Sequence, residues 1–118
     1  MDIKSIQQKL EEFANERDWN QFHTPKNLSM AISVEAAELQ EIFQWLTESE
    51  SIAITNSENK MALIKEEIAD IFLYLVRISD KLGIDIEDAA LNKIKVNALK
   101  YPVDISKGNA DKYNRRDK

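Results

Sequence analysis

Apolar residues recur every three or four positions through most of the chain, a spacing that predicts amphipathic helices. In residues 2–17 the apolar stripe consists of Ile3, Ile6, Leu10 and Phe13. Thr24 followed by Pro25 is typical of an N-cap with proline at the first helical position, where its missing N–H costs nothing. A second helix is therefore expected to run from there to about Leu46.

A polar stretch over residues 47–59 separates the second helix from a third, which is the most apolar of the set. Asn56 or Ser57 can cap this third helix at its start, and it is expected to end near Leu82. Gly83 suits a left-handed C-terminal cap.

Asp85 is expected to cap a fourth helix, with Asp88 three residues later in a pattern that resembles a capping box. Pro102 stops this helix soon after Lys100. The remaining residues, 103–118, are polar and aperiodic, which favours a loosely ordered tail over the alternative of a lid that covers a substrate.

Composition supports one small helical domain. The chain has 118 residues, 43% of them hydrophobic, with only two glycines and two prolines. These numbers favour an all-α fold with a single core, a four-helix bundle over residues 1–102 followed by a tail at 103–118. Because the third helix is apolar nearly all round, a bundle this short leaves apolar surface exposed, and we expect it to form homo-oligomers.

Charge and cysteine content exclude several classes of function. The chain has no cysteine, which excludes disulfides, thiolate metal sites and thiol nucleophiles and favours a cytoplasmic protein. The formal charge of −5 disfavours sequence-independent binding to nucleic acid. No apolar run approaches the roughly 20 residues that span a bilayer, so no membrane association is expected. Carboxylates and the single histidine, His23, remain as candidate metal ligands.

Four acids occupy positions where a helical core should be apolar. Glu35 and Glu38 interrupt the stripe of the second helix, while Glu67 and Asp70 lie one turn apart at the apolar part of the third. Buried carboxylates need cations or strong donors, since otherwise they lose hydration and tend to protonate. A divalent metal would satisfy all four.

Helix geometry predicts that the two acidic pairs meet if the second and third helices are antiparallel. Glu38 precedes Leu46 by about 12 Å of helix, and Glu67 follows Ser57 by about 15 Å, so the pairs come level. Four carboxylates around one small volume suit hard cations with oxygen ligands. Magnesium fits best, and manganese is a plausible substitute.

A solvated acidic face is the alternative, because ExxE and ExxD pairs are common in acidic helices. Glu41 and Glu66 could act as further ligands or support the metal ligands, whereas Glu11, Glu12 and Glu16 are expected to be ordinary solvated charges. A ferritin-like di-iron site is disfavoured because its Glu-x-x-His pattern is missing and His23 stands alone in a loop.

Four ordered blocks resemble the MazG-like superfamily of all-α nucleotide pyrophosphohydrolases, and within it the dCTP pyrophosphatase branch. The blocks are RDWNQFHTPKNL at 17–28, EAAELQEIFQW at 35–45, EEIADIFLYLV at 66–76 and KIKVNALKYP at 93–102. The second and third contain the ExxE and ExxD motifs of that superfamily. Ala36 and Ala37 replace the Val-Gly often found between the first two acids, a small change that keeps helices close.

The resemblance implies magnesium at Glu35, Glu38, Glu67 and Asp70. It also implies that the substrate is bound by Trp19, Trp45, Tyr74, Lys93 and Asn97. From the residues alone, core packing of either tryptophan and a solvated Lys93–Asn97 pair remain open. Weaker candidates for phosphate contacts are Lys100, Arg115 and Arg116.

The expected reaction is attack by a metal-activated water on a deoxynucleoside triphosphate, which yields the monophosphate and pyrophosphate. Glu38 is the candidate general base, and dCTP or a related or modified deoxynucleotide is the favoured substrate. The resemblance also suggests dimers that pair into tetramers. The alternatives are a non-catalytic helical binding or regulatory module, and a related enzyme that acts on dUTP or a phosphoribosyl nucleotide.

Overall fold

The computed structural model of the protein describes residues 1–110, and every regular element in this range is helical. The α-helices are α1 (Ile3–Glu16), α2 (Pro25–Phe43), α3 (Glu48–Ile52), α4 (Glu58–Lys81), α5 (Ile86–Lys100) and α6 (Val103–Ser106), with a 3₁₀ turn at Ala53–Asn56. The all-α prediction is confirmed. The long helices α1, α2, α4 and α5 correspond to the predicted ones, and α3 and α6 are short additions.

The helices begin where the sequence places their capping residues. The side chains of Thr24, Ser57 and Asp85 each accept a hydrogen bond from the backbone N–H three residues later, at 3.2, 3.3 and 3.0 Å. Such caps satisfy amide groups that have no partner within the helix. Gly83 follows α4 with φ of +68°, the left-handed conformation expected of it.

The connection between α2 and α4 is more ordered than the sequence predicts. α2 ends at Phe43 rather than near Leu46, and a separate short helix, α3, follows. Thr47 and Glu50 explain it, because each side chain accepts a hydrogen bond from the other residue's backbone N–H, which completes a capping box.

The tail also contains helix where an aperiodic end was expected, since α6 begins directly after Pro102. Residues 111–118, including Arg115 and Arg116, lie outside the described range. The boundary after residue 102 stays a prediction. By compactness, the chain divides into a unit of residues 1–84 and a second unit that begins at Asp85 and contains α5 and α6.

Within the first unit, α4 packs against both α2 and α1. Ala14 of α1, Leu28 of α2 and Val76 of α4 are fully buried at the centre of this packing. No helix among the described residues is long and apolar enough to cross a membrane.

α2 and α4 are antiparallel, the arrangement in which the two acidic pairs were predicted to meet. His23, which precedes α2, contacts Arg77 near the end of α4. Glu35, twelve residues further along the chain, lies beside Glu67, ten residues earlier in α4. The order of contacts therefore runs in opposite directions along the two helices, which brings the acidic positions together.

Candidate functional site

Three of the four predicted acids form a cluster between α2 and α4. Carboxylate oxygens of Glu35, Glu38 and Glu67 lie within 4.8 Å of one another, and we call these residues the acidic cluster. Glu35 and Glu67 are half-buried, while Glu38 is exposed at the open side. Both helices contribute, so the cluster depends on the register of α2 against α4.

Glu35 and Glu67 each bury an oxygen, Oε2, that has no hydrogen-bond partner among the described residues. When both groups are ionised, neither can donate to the other. Protonation lets Glu35 and Glu67 share a hydrogen bond, and this bond, together with burial and the charges of Glu38 and Asp70, raises the pKa of Glu35 to about 7.

This donor set fits a hard divalent cation. It consists of carboxylate oxygens, two of them buried and without a donor to satisfy them, and magnesium and manganese prefer oxygen ligands of this type. Burying an unpaired carboxylate costs free energy that a bound cation would offset. Glu35, Glu38 and Glu67 could therefore hold a metal that neutralises their charges.

Asp70 lies one turn beyond Glu67 on α4 but outside the acidic cluster. Asp70 is exposed and lines a cavity of about 490 Å³. Asp70 is still near enough for its charge to help raise the pKa of Glu35. The structure thus places the fourth predicted acid between the acidic cluster and the cavity.

The cavity lies between α1, α4 and the loop that joins α1 to α2, and its wall is largely apolar. We call it the aromatic cavity; its apolar wall includes Leu10, Phe13, Trp19, Leu73 and Tyr74. The rings of Phe13 and Trp19 meet edge to face, with centroids 5.6 Å apart. Such a wall can enclose a flat ring that stacks on aromatic side chains.

Tyr74 connects the cavity with the acids electrostatically. It is half-buried, and burial together with the charges of Glu35, Asp70 and Glu38 raises the pKa of its hydroxyl above the ordinary value of 10.0. The hydroxyl therefore stays protonated at neutral pH and can donate a hydrogen bond beside the carboxylates.

A group of polar side chains lies at the part of the cavity wall that His23 and Arg77 form. Arg77 is 2% exposed and donates to three residues of α1 and the following loop: Nη1 to Glu11, Nη2 to Asn20, and Nε to Nδ1 of His23 at 3.2 Å. We call these four residues the Arg77 cluster. It ties α4 to α1 and to the loop that presents Trp19.

Comparison with known proteins gives the family. A sequence model of the MazG-like family matches residues 30–115. This chain belongs to the MazG-like family. The match covers both acidic pairs, so the three acids that meet in the structure lie in the part of the chain that defines the family.

Relatives of this MazG-like chain include mammalian proteins named dCTP pyrophosphatase 1. The bovine protein is 40% identical over 111 residues, which cover 94% of this chain and 66% of that protein. The human protein is 37% identical over 111 residues, with 94% and 65% covered. The chain thus spans slightly less than two thirds of the length of these relatives.

A crystal structure of a pyrophosphatase from Archaeoglobus fulgidus DSM 4304 has the same fold. It superimposes with a TM-score of 0.79 at 37% sequence identity, and the match covers 86% of this chain and 94% of that one. Most of this chain therefore shares its helical fold with that solved pyrophosphatase.

The structure places two of the five predicted substrate residues of this MazG-like chain in the cavity wall. Trp19 and Tyr74 line the aromatic cavity. Trp45 follows α2, is 86% exposed and does not belong to the cavity wall. Lys93 and Asn97 are exposed on α5, in the second compact unit. The roles of these five residues stay predictions.

The sequence interpretation missed the Arg77 cluster. Glu11, expected to be an ordinary solvated charge, pairs with Arg77, and this hydrogen bond holds the pKa of Glu11 below its usual value. His23, considered there as a candidate metal ligand, accepts from Arg77 and lies outside the acidic cluster. A lone arginine in the apolar run FLYLVRI was the available signal, because a buried cation needs carboxylate or carbonyl partners.

Proposed function

We propose that the protein is a magnesium-dependent nucleoside triphosphate pyrophosphohydrolase. The observation that carries the proposal is the acidic cluster, with two buried oxygens that lack partners among the described residues, next to a cavity lined by aromatic rings. The cluster suits the cations that accompany a triphosphate, and the cavity suits a base. Membership of the MazG-like family supports the same chemistry.

Glu35, Glu38, Glu67 and Asp70 would hold the metal. When bound, magnesium neutralises charge on the phosphate oxygens and lowers the pKa of a coordinated water. Glu38 is exposed at the open side of the acidic cluster, so we assign it the role of accepting the proton from the attacking water. Asp70 lines the cavity one turn beyond Glu67, where it would hold the metal beside the substrate's phosphates.

The favoured substrate is dCTP or a related or modified deoxynucleotide, converted to the monophosphate and pyrophosphate. The names of the bovine and human relatives support this choice. Trp19 and Tyr74 would enclose the base and sugar in the aromatic cavity. Trp45, Lys93 and Asn97 remain candidates for further substrate contacts.

Product analysis tests the proposal. The purified chain is incubated with each common deoxynucleoside triphosphate, with dUTP and with 5-methyl-dCTP, in magnesium or in chelator, and the products are separated by chromatography. Magnesium-dependent monophosphate with equimolar pyrophosphate is expected. Release of diphosphate and inorganic phosphate would contradict the proposed reaction.

A non-catalytic binding module is distinguished by a thermal unfolding experiment. A ligand that binds the folded state raises the melting temperature with its concentration. The melting temperature of an enzyme is expected to rise with magnesium together with a non-hydrolysable deoxynucleotide analogue. The melting temperature of a module whose acids pair with another protein is expected to stay unchanged.

We also propose that the chain forms a dimer or a dimer of dimers. Apolar side chains on α2 and α4 are more than half exposed in a single chain: Met30, Val34, Leu63 and Ile68. Exposed apolar residues grouped on helices that are otherwise packed are typical of subunit interfaces. Sedimentation equilibrium is expected to give a dimer or tetramer mass, and a monomer at every concentration would contradict the proposal.

A further inference from the structure

Arg77 has more donors than its contacts within the chain use. A guanidinium carries five N–H donors in a planar fork. Among the described residues, Glu11, Asn20 and His23 each accept one of them, which leaves two. Arg77 also belongs to the wall of the aromatic cavity, although it is 2% exposed. Every nitrogen of the guanidinium has one partner, but Nη1 and Nη2 each keep a second N–H, and a ligand that accepts from these two N–H groups gains affinity.

His23 adds a further donor at the same place. Its Nδ1 accepts from Nε of Arg77 at 3.2 Å, which fixes the neutral imidazole with its proton on Nε2. His23 also lines the cavity. This end of the cavity is therefore rich in N–H donors, in contrast to the carboxylates at the other end.

The distance along α4 between the two ends of the cavity suits a bound deoxynucleotide. Asp70, Tyr74 and Arg77 all line the cavity from one face of the helix, and seven residues of helix between the first and last correspond to about 10 Å. A deoxynucleotide with its phosphates at the acids and its ring against Tyr74 would direct the far edge of its base toward Arg77.

We propose that Arg77, oriented by Glu11 and Asn20 and assisted by His23, is the base-recognition residue of this site and selects a base with two adjacent hydrogen-bond acceptors. This inference rests on the proposed function. A planar fork of two N–H groups matches two neighbouring acceptors, as arginine does when it binds O6 and N7 of guanine. Cytosine offers the same chemistry at O2 and N3.

The other common bases lack that pair. Thymine and uracil carry a ring N–H between their carbonyl oxygens, and adenine carries an amino group beside each of its outward ring nitrogens. Each would place a donor against a donor of Arg77. The buried donors would then lose their partners, which is how a polar site rejects a wrong ligand.

The first test uses the wild-type protein with base analogues. We compare kcat/KM for dCTP with that for 3-deaza-dCTP, and for dGTP with 7-deaza-dGTP, each analogue replacing one acceptor nitrogen by C–H. The analogue of the preferred base is expected to lose about tenfold or more, the lower part of the discrimination that a bidentate arginine provides. Equal rates for both pairs, or a preference for dTTP or dATP, would overturn the proposal.

The second test uses Arg77→Lys, which keeps the charge beside Glu11 but removes the planar fork. The ratio of kcat/KM for the preferred base over dTTP is expected to fall about tenfold or more. The matched control is Lys81→Gln. Lys81 donates to Asn20 at 3.2 Å but does not line the cavity, so its removal perturbs the same cluster without changing the ratio.

A structural role for Arg77 gives a different result. If Arg77 only ties α4 to α1, Arg77→Lys lowers the turnover of all bases equally and the ratio is unchanged, which would overturn the proposal. If this variant does not fold, the analogue comparison still decides, because it uses only the wild-type chain.

A binding experiment separates this inference from the proposed function. If folded wild-type protein cleaves no triphosphate, the proposed reaction fails, and calorimetric titration with dCMP, dGMP and dTMP still measures base preference. Tighter binding of dCMP or dGMP than of dTMP, lost in Arg77→Lys, supports recognition by Arg77. Equal affinities, or no binding of any monophosphate, overturn it.

Discussion

Glu35 of α2 and Glu67 of α4 lie side by side between antiparallel helices, and each buries an oxygen with no hydrogen-bond partner among the described residues. Without a cation to neutralise them, two carboxylates in this arrangement retain one proton up to a pH of about 7, the raised pKa of Glu35. Metal binding, proton binding and folding are therefore linked at this pair, and the first two predictions follow from that linkage.

Metal-free protein is expected to lose stability as the pH rises from about 4.5 to about 7. The pKa of Glu35 is raised to about 7 from an ordinary value of 4.5, chiefly by the hydrogen bond with Glu67. The folded state thus holds a proton that the unfolded state releases, and the stabilisation is complete below the lower value and lost through the higher one. Urea unfolding in chelator at several pH values measures it.

Glu35→Gln is the control for this pH dependence, since the amide does not titrate. His23 acts in the opposite direction, because burial and the charge of Arg77 lower its pKa and the folded state gains stability as the pH rises. The difference between wild type and Glu35→Gln isolates Glu35. If the free energy of unfolding changed with pH in the same way in both proteins, the proton shared by Glu35 and Glu67 would be contradicted.

Magnesium binding is expected to weaken about tenfold per pH unit below pH 7, because one proton must leave the Glu35–Glu67 pair before the metal binds. Above that pH the affinity should level off. Isothermal titration with magnesium in buffers of different ionisation enthalpy measures both the affinity and the proton released. An affinity that is constant between pH 5.5 and 8 would exclude the coupling.

Glu38→Gln and Asp70→Asn are each expected to lower turnover by at least about 100-fold while the protein stays folded, because each removes a charged oxygen from the reaction centre. Glu41→Gln is the matched control on α2, since Glu41 is exposed and outside the acidic cluster. Initial rates at saturating magnesium, with circular dichroism to verify folding, measure the effect. Full turnover in either variant would remove that residue from the essential set.

Trp19→Leu is expected to raise KM by roughly five- to 100-fold with a smaller change in kcat, the effect of losing one aromatic stacking partner for a base. Trp19 lines the aromatic cavity and packs edge to face against Phe13. Trp45→Leu is the comparison, because Trp45 is largely exposed and outside that wall. An unchanged KM in Trp19→Leu would place the base elsewhere, and a raised KM in Trp45→Leu would add that residue to the site.

Much of this architecture could be predicted because it depends on local signals. Thr24, Ser57 and Asp85 are caps that act within one turn, and the apolar stripes follow helical periodicity. The meeting of Glu35 with Glu67 could also be predicted, since it requires only the rise of a helix and an antiparallel hairpin. The capping box of α3 was present in the sequence at Thr47 and Glu50 but was hidden in a polar stretch.

The Arg77 cluster could not be predicted in the same way. Its members come from α1, a loop and α4, and their contacts span more than fifty residues of sequence. No local pattern pairs Glu11 with Arg77, and on a helical diagram Glu11 resembles its solvated neighbours. The cavity wall could not be predicted for the same reason, because Leu10 and Tyr74 come together only when α1 packs against α4.

Asp18 adopts φ of +53° in the turn after α1. Residues other than glycine, asparagine and aspartate rarely take this left-handed backbone conformation. The turn directs the N–H of Trp19 to the carbonyl of Ala14 at 2.9 Å, and so places the indole at the cavity. Asp18→Val is therefore expected to destabilise the fold by about 1–3 kcal/mol. Asp18→Gly should stay within about 1 kcal/mol of wild type, because glycine takes this conformation freely.

Urea unfolding of the two Asp18 variants measures how much free energy of unfolding depends on the conformation of this turn. Asp18→Asn is the control, because asparagine keeps both the side-chain size and the tolerance of a left-handed conformation. A rise in KM for Asp18→Val alone would show that the turn also positions Trp19 for the substrate. Equal stability of the valine and glycine variants would mean that the turn relaxes without strain, and the position of Trp19 would then depend on its contact with Phe13.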